Sequence, residues 1–341
     1  MNASAPKGPA IIFPKEAAIK YFQMFIGLKI DYDNLNFNKI YMNRNNIKLG
    51  ALYMLISVTG FSIMDIAVKW TTAEYSIGMV IAARMIGGLI PLFLVVPKER
   101  WGNFFHTTKP GLMFIRAFTG TAALFCVYAS LHYLPLATTV SLTFASPIFS
   151  TLLSIFILGE LVRVRRWIAI VIGFAGVLII INPTSSEFSV YMLLPILFCV
   201  FFAMVSISIR LLSETEPSYL IAWYFTLFGF IASLFTIPFG GWKIPVSWFD
   251  LGILTAVGIF GGIGNLALTS AFKHAEVSLV TPLKYLSLIY GIIFGYMIWN
   301  EIPAWNTYVG AGFIILSAIF ILRRETALKK EIQPEKFSIQ R

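Results

Sequence analysis

Apolar residues run through this chain in blocks about twenty residues long, separated by short polar breaks. Ten blocks stand out, at roughly 47–69, 76–97, 111–131, 134–158, 166–182, 188–210, 218–240, 251–272, 276–299 and 306–322. A helix needs about 20 mostly apolar residues to cross the ~30 Å hydrocarbon layer of a bilayer, so each block predicts a spanning helix. Strands are not expected, because barrel segments are about ten residues long and alternate in polarity. Residues 1–46 are polar and mixed, with an apolar-aromatic patch from Ile19 to Leu28. The patch is short, Lys20 and Lys29 interrupt it, and no small-residue cleavage site follows, so it is not a secretory signal. It reads as part of a cytoplasmic tail, with an interfacial helix as the other reading. Met42 offers a second start for the product.

One constant offset in residue number, that from Phe61 to Phe202, maps the first half onto the second. It also pairs Gly88 with Gly229, Gly111 with Gly252 and Gly120 with Gly261, and continues through Ser146 and Ser287, Ile148 and Ile289, Ile157 and Ile298, Glu160 and Glu301. No gap is needed, and a shared register over such a span marks two copies of one unit. Each copy holds five blocks. Five crossings are odd, so the second copy enters the membrane the other way up, and inverted repeats of this kind are a common build of secondary transporters. The expectation is an all-α integral membrane protein: ten transmembrane helices as two inverted-topology five-helix repeats, 47–183 and 187–324, between cytoplasmic tails 1–46 and 325–341.

Composition agrees. Hydrophobic residues make up 58% of the 341 and charged residues 12%, about half the charged share of a soluble domain. The net charge of +10 would fit nucleic acid if the cations were clustered on one surface, but their distribution excludes it. With the N-terminus inside, 21 of the 26 Lys and Arg fall in the tails and inner loops, and only Lys69 and Lys243 lie near the outer face. This is a positive-inside pattern, which places the chain in a bacterial inner membrane with both termini cytoplasmic and explains the basic balance as attraction to anionic lipid. Glu160 is followed by three arginines and Glu301 by none, as opposite orientations of the repeats require.

The stretch Ser146 to Pro183, SPIFSTLLSIFILGELVRVRRWIAIVIGFAGVLIIINP, resembles the end of an EamA domain of the drug/metabolite transporter superfamily. Leu283 to Leu322 carries a looser copy with NEIP in place of GE and its basic loop. The resemblance covers about residues 47–324. It implies ten helices, inverted five-helix repeats and gradient-driven movement of metabolites; members export amino acids and other metabolites, and some import S-adenosylmethionine or riboflavin.

Function then depends on polar residues inside the apolar blocks. On the fourth block Thr139, Thr143, Ser146, Ser150 and Ser154 fall within about 80° of one another at 100° per residue. The offset takes them to Val280, Lys284, Ser287, Gly291 and Gly295. The Ser150–Ser154 and Gly291–Gly295 ends suit close helix packing, while Thr143, Ser146 and Lys284 suit a solvated path. Lys284 lies roughly 12 Å into its block, deeper than its stem can snorkel. Tyr285 beside it suits a flat ligand or core packing. Arg84 has a planar fork matched to carboxylates. Asp65 is the deep carboxylate, pairing with Lys69 one turn on or with Arg84 across helices, or else serving as a coupling site or a binder of a cationic group. Asn265 follows Gly261, Gly262 and Gly264 and bonds either solute or a neighbouring helix. Arg116 is expected to snorkel to the cytoplasm, and the stripe Phe114, Phe118, Phe125 and Tyr128 to pack in the core, with a cavity wall for an aromatic solute as the other reading. Glu160 and Glu301 read as anchors at helix ends.

No metal site is expected, since His106, His132 and His274 lack ligand spacing, and Cys126 and Cys199 sit in apolar blocks without support for a disulfide. There is no GxxxxGK[ST] or GxSxG motif, so neither ATP-driven transport nor a cofactor is expected. A membrane enzyme would need clustered acids and histidines, which the blocks lack. The expected partners are a small-molecule solute and the lipid bilayer, and not nucleic acid. The expected function is gradient-driven movement of a small polar or amphipathic metabolite by alternating access. The alternatives are a vitamin or cofactor importer and a non-transporting membrane scaffold.

Overall fold

The computed structural model describes residues 47–96, 107–146, 148–150, 152–153, 164–182, 188–212, 215–243, 245, 247–274, 281–317 and 319–320. The two tails, His106, Ser154 and Glu160 lie outside the described residues. Within them every regular element is helical: α1 (Ile47–Thr71), α2 (Ile77–Val95), α3 (Pro110–Tyr133), α4 (Leu136–Thr143), α5 (Val164–Ile181), α6 (Leu193–Leu212), α7 (Ser218–Leu234), α8 (Trp248–His274), α9 (Leu286–Trp299) and α10 (305–317). Stretches in α1, α2, α3, α6, α7 and α8 are long and apolar enough to cross a membrane, and α4, α5 and α9 belong to shorter apolar helices.

Local chemistry sets the boundaries. The Ser76 hydroxyl accepts from Met79 N–H and caps α2. Pro110 opens α3 and Pro217 precedes α7, positions where a missing N–H costs nothing. After α9, Asn300 adopts a left-handed conformation (φ 54°) and the Glu301 N–H returns to Gly295 O at 3.0 Å. This C-terminal cap fixes where the Glu301 carboxylate points.

The fourth and ninth blocks depart from the continuous helices expected. Helix α4 stops at Thr143, a turn follows at Phe144 and Ala145, and helix resumes from 146. Proline at 147 has no N–H for the Thr143 carbonyl; that carbonyl takes the Ser146 hydroxyl and the Cys199 thiol instead. Helix α9 is preceded by a 3₁₀ turn, Thr281–Tyr285, as a proline at 282 disfavours α conformation in the residue before it. The two irregularities fall at offset partners, Phe144 and Tyr285.

Helix α1 packs on α8, α8 on α2, α2 on α7, α7 on α3, α3 on α6, and α4 on α9. Helices α5 and α10 meet where Gly176 faces Gly310 and where the Ser317 hydroxyl donates to Ala169 O. The main core gathers Met64, Met85, Tyr128, Leu131, Ile148 and Ile180. Large apolar side chains such as Leu94, Phe239 and Trp248 lie open on the outside, as suits a bilayer solvent.

One end of the bundle is held by Glu216, between α6 and α7. Its Oε1 accepts from Thr107 Oγ1 at 2.8 Å, Thr108 N at 2.7 Å and Thr108 Oγ1 at 2.7 Å, tying this turn to the lead-in of α3. Burial works to raise the carboxyl, but the hydrogen bonds from Thr108 and Thr107 outweigh it and hold it below the usual glutamate range. A carboxylate lowered on folding stabilises the protein above its unfolded pKa, and that contribution disappears as pH falls through the folded value. The window therefore opens below about pH 4.3. Glu216→Gln is expected to lower the unfolding temperature at pH 7 and to flatten its fall below about pH 4.3, read by thermal unfolding across pH. Parallel wild-type and variant curves would contradict this.

Candidate functional site

Arg84 leaves α2 toward the interior and is 6% exposed. Gly261 on α8 makes room for it: a Cβ there would stand 2.8 Å from Nε. Its guanidinium carbon lies 5.9 Å from the Tyr128 ring centre and 6.0 Å from that of Phe225. Asp65 and Tyr128 are within its Coulombic reach. A recess beside it is lined by Arg84, Phe225, Thr226, Gly261, Gly262 and Asn265, among others. Arg84 and Asn265 thus share one recess, with Asp65 within Coulombic reach of the arginine.

Arg116 corrects an expectation. It does not reach for the surface of the bundle but turns inward, 4% exposed, with its guanidinium 4.7 Å from the Phe225 ring centre. Gly120, one turn on, leaves the space, since a Cβ there would collide with Nη1. Arg116 is also within Coulombic reach of Arg84. Arg84 Nη1 and Arg116 Nε and Nη1 are buried without a hydrogen-bond partner. The Phe stripe divides: Tyr128 is fully buried, whereas Phe114 and Phe118 are exposed and lean on Phe228.

Thr143, Ser146, Lys284 and Tyr285 lie at the paired helix breaks. The Ser146 hydroxyl donates to the Thr143 carbonyl and lies 3.4 Å from Cys199 Sγ. Lys284 Nζ sits 4.9 Å from the Phe202 ring centre. Tyr285 meets Phe144 edge-on at 5.2 Å, and its buried hydroxyl lacks a hydrogen-bond partner.

Lys69 turns away from Asp65. It pairs with Glu301 at 2.7 Å and donates to Leu134 O at 2.8 Å, while Glu301 Oε2 accepts from Leu136 N at 3.0 Å. The ends of α1 and α9 are thereby laced to the start of α4, and nearby the Tyr75 hydroxyl donates to Asp250 at 2.9 Å.

The small-residue positions are uneven. Gly291 and Gly295 are buried against α4, but a Cβ at Gly291 would find ordinary contacts at 3.6 Å. Ser150 is only half-buried. Among the described residues, the closest backbone-to-backbone approaches at glycines lie at Gly87–Gly258 and Gly176–Gly310. Among the described residues no group of His, Cys, Asp or Glu is placed to hold a metal ion, and both cysteines are free.

Residues 48–182 and 189–323 each match the model of the EamA-like transporter family. The chain belongs to that family. It is a membrane transporter built on a duplicated EamA-like domain, and the starts of the two matched stretches, 48 and 189, are themselves offset partners. It is 28% identical over 281 residues to the pseudopaline exporter CntI of Pseudomonas aeruginosa, covering 81% of this chain and 97% of the relative. It is 25% identical to a riboflavin transporter of Vibrio cholerae (81% and 94% covered) and 28% identical to an S-adenosylmethionine uptake transporter of Rickettsia prowazekii (84% and 95%). A solved crystal structure matches the EamA-like chain with TM-score 0.59 at 17% identity, covering 83% of it and 98% of the other; this likeness concerns the fold alone.

Proposed function

We propose that this transporter moves a small polar or amphipathic metabolite across the inner membrane, driven by a gradient, by alternating access between two inverted five-helix repeats, 47–183 and 187–324, with both termini cytoplasmic. The observation that carries the reading is the recess at Arg84. It sets the polar side chains of Arg84, Thr226 and Asn265 into an otherwise apolar lining, and that lining comes from both repeats: Arg84 and Gly88 from the first, Phe225, Thr226 and Asn265 from the second. A buried charge in a membrane interior is costly and marks a pathway or site.

The contacts support the inverted arrangement. Exchanging each partner for its offset partner turns the α1–α8 contact into α6–α3 and the α2–α8 contact into α7–α3, and returns α2–α7 and α4–α9 to themselves. The Gly176–Gly310 contact becomes Ser317–Ala169. A two-fold axis produces this exchange, and an odd number of crossings per repeat lays that axis in the membrane plane. In this reading Lys69, Glu301 and Leu136 close the outer end and Glu216 lies at the inner end. The breaks at Phe144 and Tyr285 give α4 and α9 the flexibility to rock, and Thr143, Ser146, Lys284 and Tyr285 line the path between them, while Gly291, Gly295 and Ser150 pack.

The relatives' solutes, pseudopaline, riboflavin and S-adenosylmethionine, are polar and amphipathic small molecules, and their names include both export and uptake. The edge-on Phe144–Tyr285 pair suits a flat ring, which favours a vitamin or cofactor as the second reading. The test compares metabolites inside and outside cells with and without the protein, and uptake of labelled riboflavin and S-adenosylmethionine. For a solute so found, Arg84→Gln with Lys284→Gln is expected to cut transport at least fivefold at unchanged membrane abundance. Unchanged transport would remove both residues from the pathway.

A further inference from the structure

Arg84 and Arg116 come from different helices, α2 and α3, yet both guanidinium carbons lie within 6.0 Å of the Phe225 ring centre. Both arginines lie in the first repeat, and a glycine makes room for each. Gly120 and Gly261 are offset partners, and each clears the space for one arginine. Arg84 and Phe225 are offset partners too, so a ring in one copy faces a guanidinium in the other, and ring faces hold planar guanidinium groups. The charges do not balance. Among the described residues, Asp65 is the one carboxylate away from the helix ends, and it is within Coulombic reach of Arg84. Two like charges within reach of each other, with three buried N–H donors lacking partners, are expensive in a low-dielectric interior. An oxyanion between them satisfies donors and charge together, and bidentate pairing with a guanidinium is the strong form of that contact.

From this geometry we infer that Arg84 and Arg116, backed by Phe225, seat a carboxylate or phosphate group of the transported solute. The inference rests on the transporter reading above and names the substrate class: metabolites carrying an oxyanion, with Asp65 left to meet a cationic group when the solute is zwitterionic.

The test uses the purified full-length protein in detergent, with thermal unfolding followed by tryptophan fluorescence. Succinate and inorganic phosphate at millimolar concentrations are compared with sodium chloride at equal ionic strength, and phosphatidylglycerol in the micelle forms a separate arm. Either oxyanion is expected to raise the unfolding temperature of the wild type in a saturable way. Arg116→Gln should weaken that effect at least tenfold in concentration while leaving the ligand-free unfolding temperature equal or higher, because it removes an uncompensated charge. Arg116→Lys should recover part of the response. Gly120→Ala, which keeps the charge but displaces the guanidinium, should also weaken it. No saturable response from succinate or phosphate, a response unchanged in Arg116→Gln and Gly120→Ala, or a response to phosphatidylglycerol alone would each overturn the seat. Transport that persists beside such a result would leave the transporter reading intact and remove only the oxyanion seat.

Discussion

Glu301→Ala is expected to cost about 2–3 kcal/mol of stability, and Lys69→Met a similar amount, values that lie between two regimes. Exposed ion pairs contribute about 0–1 kcal/mol, whereas breaking a fully buried pair costs about 3–5 kcal/mol. Here the Lys69 side chain is 9% exposed and that of Glu301 24%, so the loss falls short of the buried limit. Glu301 also serves the Leu136 N–H at 3.0 Å, which loses its protein partner when the carboxylate goes. Lys69 keeps the Leu134 carbonyl and the Trp299 ring at 5.3 Å, which softens its isolation without replacing the anion. Removing both partners leaves no uncompensated charge, so the double variant should recover about 1 kcal/mol or more relative to the sum of the singles. Thermal unfolding of the four proteins provides the cycle. Single variants within about 0.5 kcal/mol of the wild type, the range of ordinary surface substitutions, or strict additivity, would show that the pair is an ordinary surface contact. In the alternating-access reading the same variants loosen the outer end, so a cysteine placed at Ala137, buried in the native protein, should label faster from outside.

The helices were legible because hydropathy is a one-dimensional property: a spanning helix must be apolar along its whole length, whatever it touches. The repeat was legible for the same reason, and the family model matches stretches with the same spacing. Side-chain partners were not, because they depend on which helix arrives alongside. Lys69 stands one turn from Asp65, a natural pair on an isolated helix, yet Glu301 reaches it from the far end of the other repeat and offers a second acceptor geometry through Leu136. Arg116 sits near a helix end, where depth alone favours snorkelling. What turned it inward is Gly120, one turn on, together with the Phe225 face. That signal was present in the chain, since Gly120 and Gly261 are repeat partners, as are Arg84 and Phe225. The breaks in α4 and α9 were hidden by continuous hydrophobicity, although a proline lies near each. The tightest backbone contacts between glycines were missed because each pair is split between helices distant in sequence, while the visible GxxxG at Gly291 and Gly295 has ordinary spacing.

Gly258→Val is expected to abolish the folded transporter. At this crossing of α2 and α8 a Cβ on Gly258 would collide with the Gly87 Cα and stand 2.9 Å from the Ala83 carbonyl oxygen; a Cβ on Gly87 would stand 2.8 Å from the Gly258 Cα. Both obstacles are backbone, so no rotamer change relieves them, and the helices must separate. Separation reaches the site directly. Arg84 lies one turn from Gly87 on α2, and Gly261 and Asn265 follow Gly258 along α8. Gly262, next in line, already has Pro91 and Gly88 against it, so the strain cannot be passed along the interface. Even Gly258→Ala should cost about 1–3 kcal/mol, as overpacking typically does, and Val adds two methyl groups at the same point. Gly291→Ala is the contrast, because its new methyl would meet Ala137 and Val140 at 3.6 Å and should change stability by less than about 0.5 kcal/mol. Fluorescence-detected size-exclusion of the three variants reads the difference: a monodisperse peak for Gly291→Ala, a reduced one for Gly258→Ala and aggregate for Gly258→Val. A wild-type peak and unfolding temperature for Gly258→Val would mean that α2 and α8 do not approach backbone to backbone, and the recess between them would lose its floor.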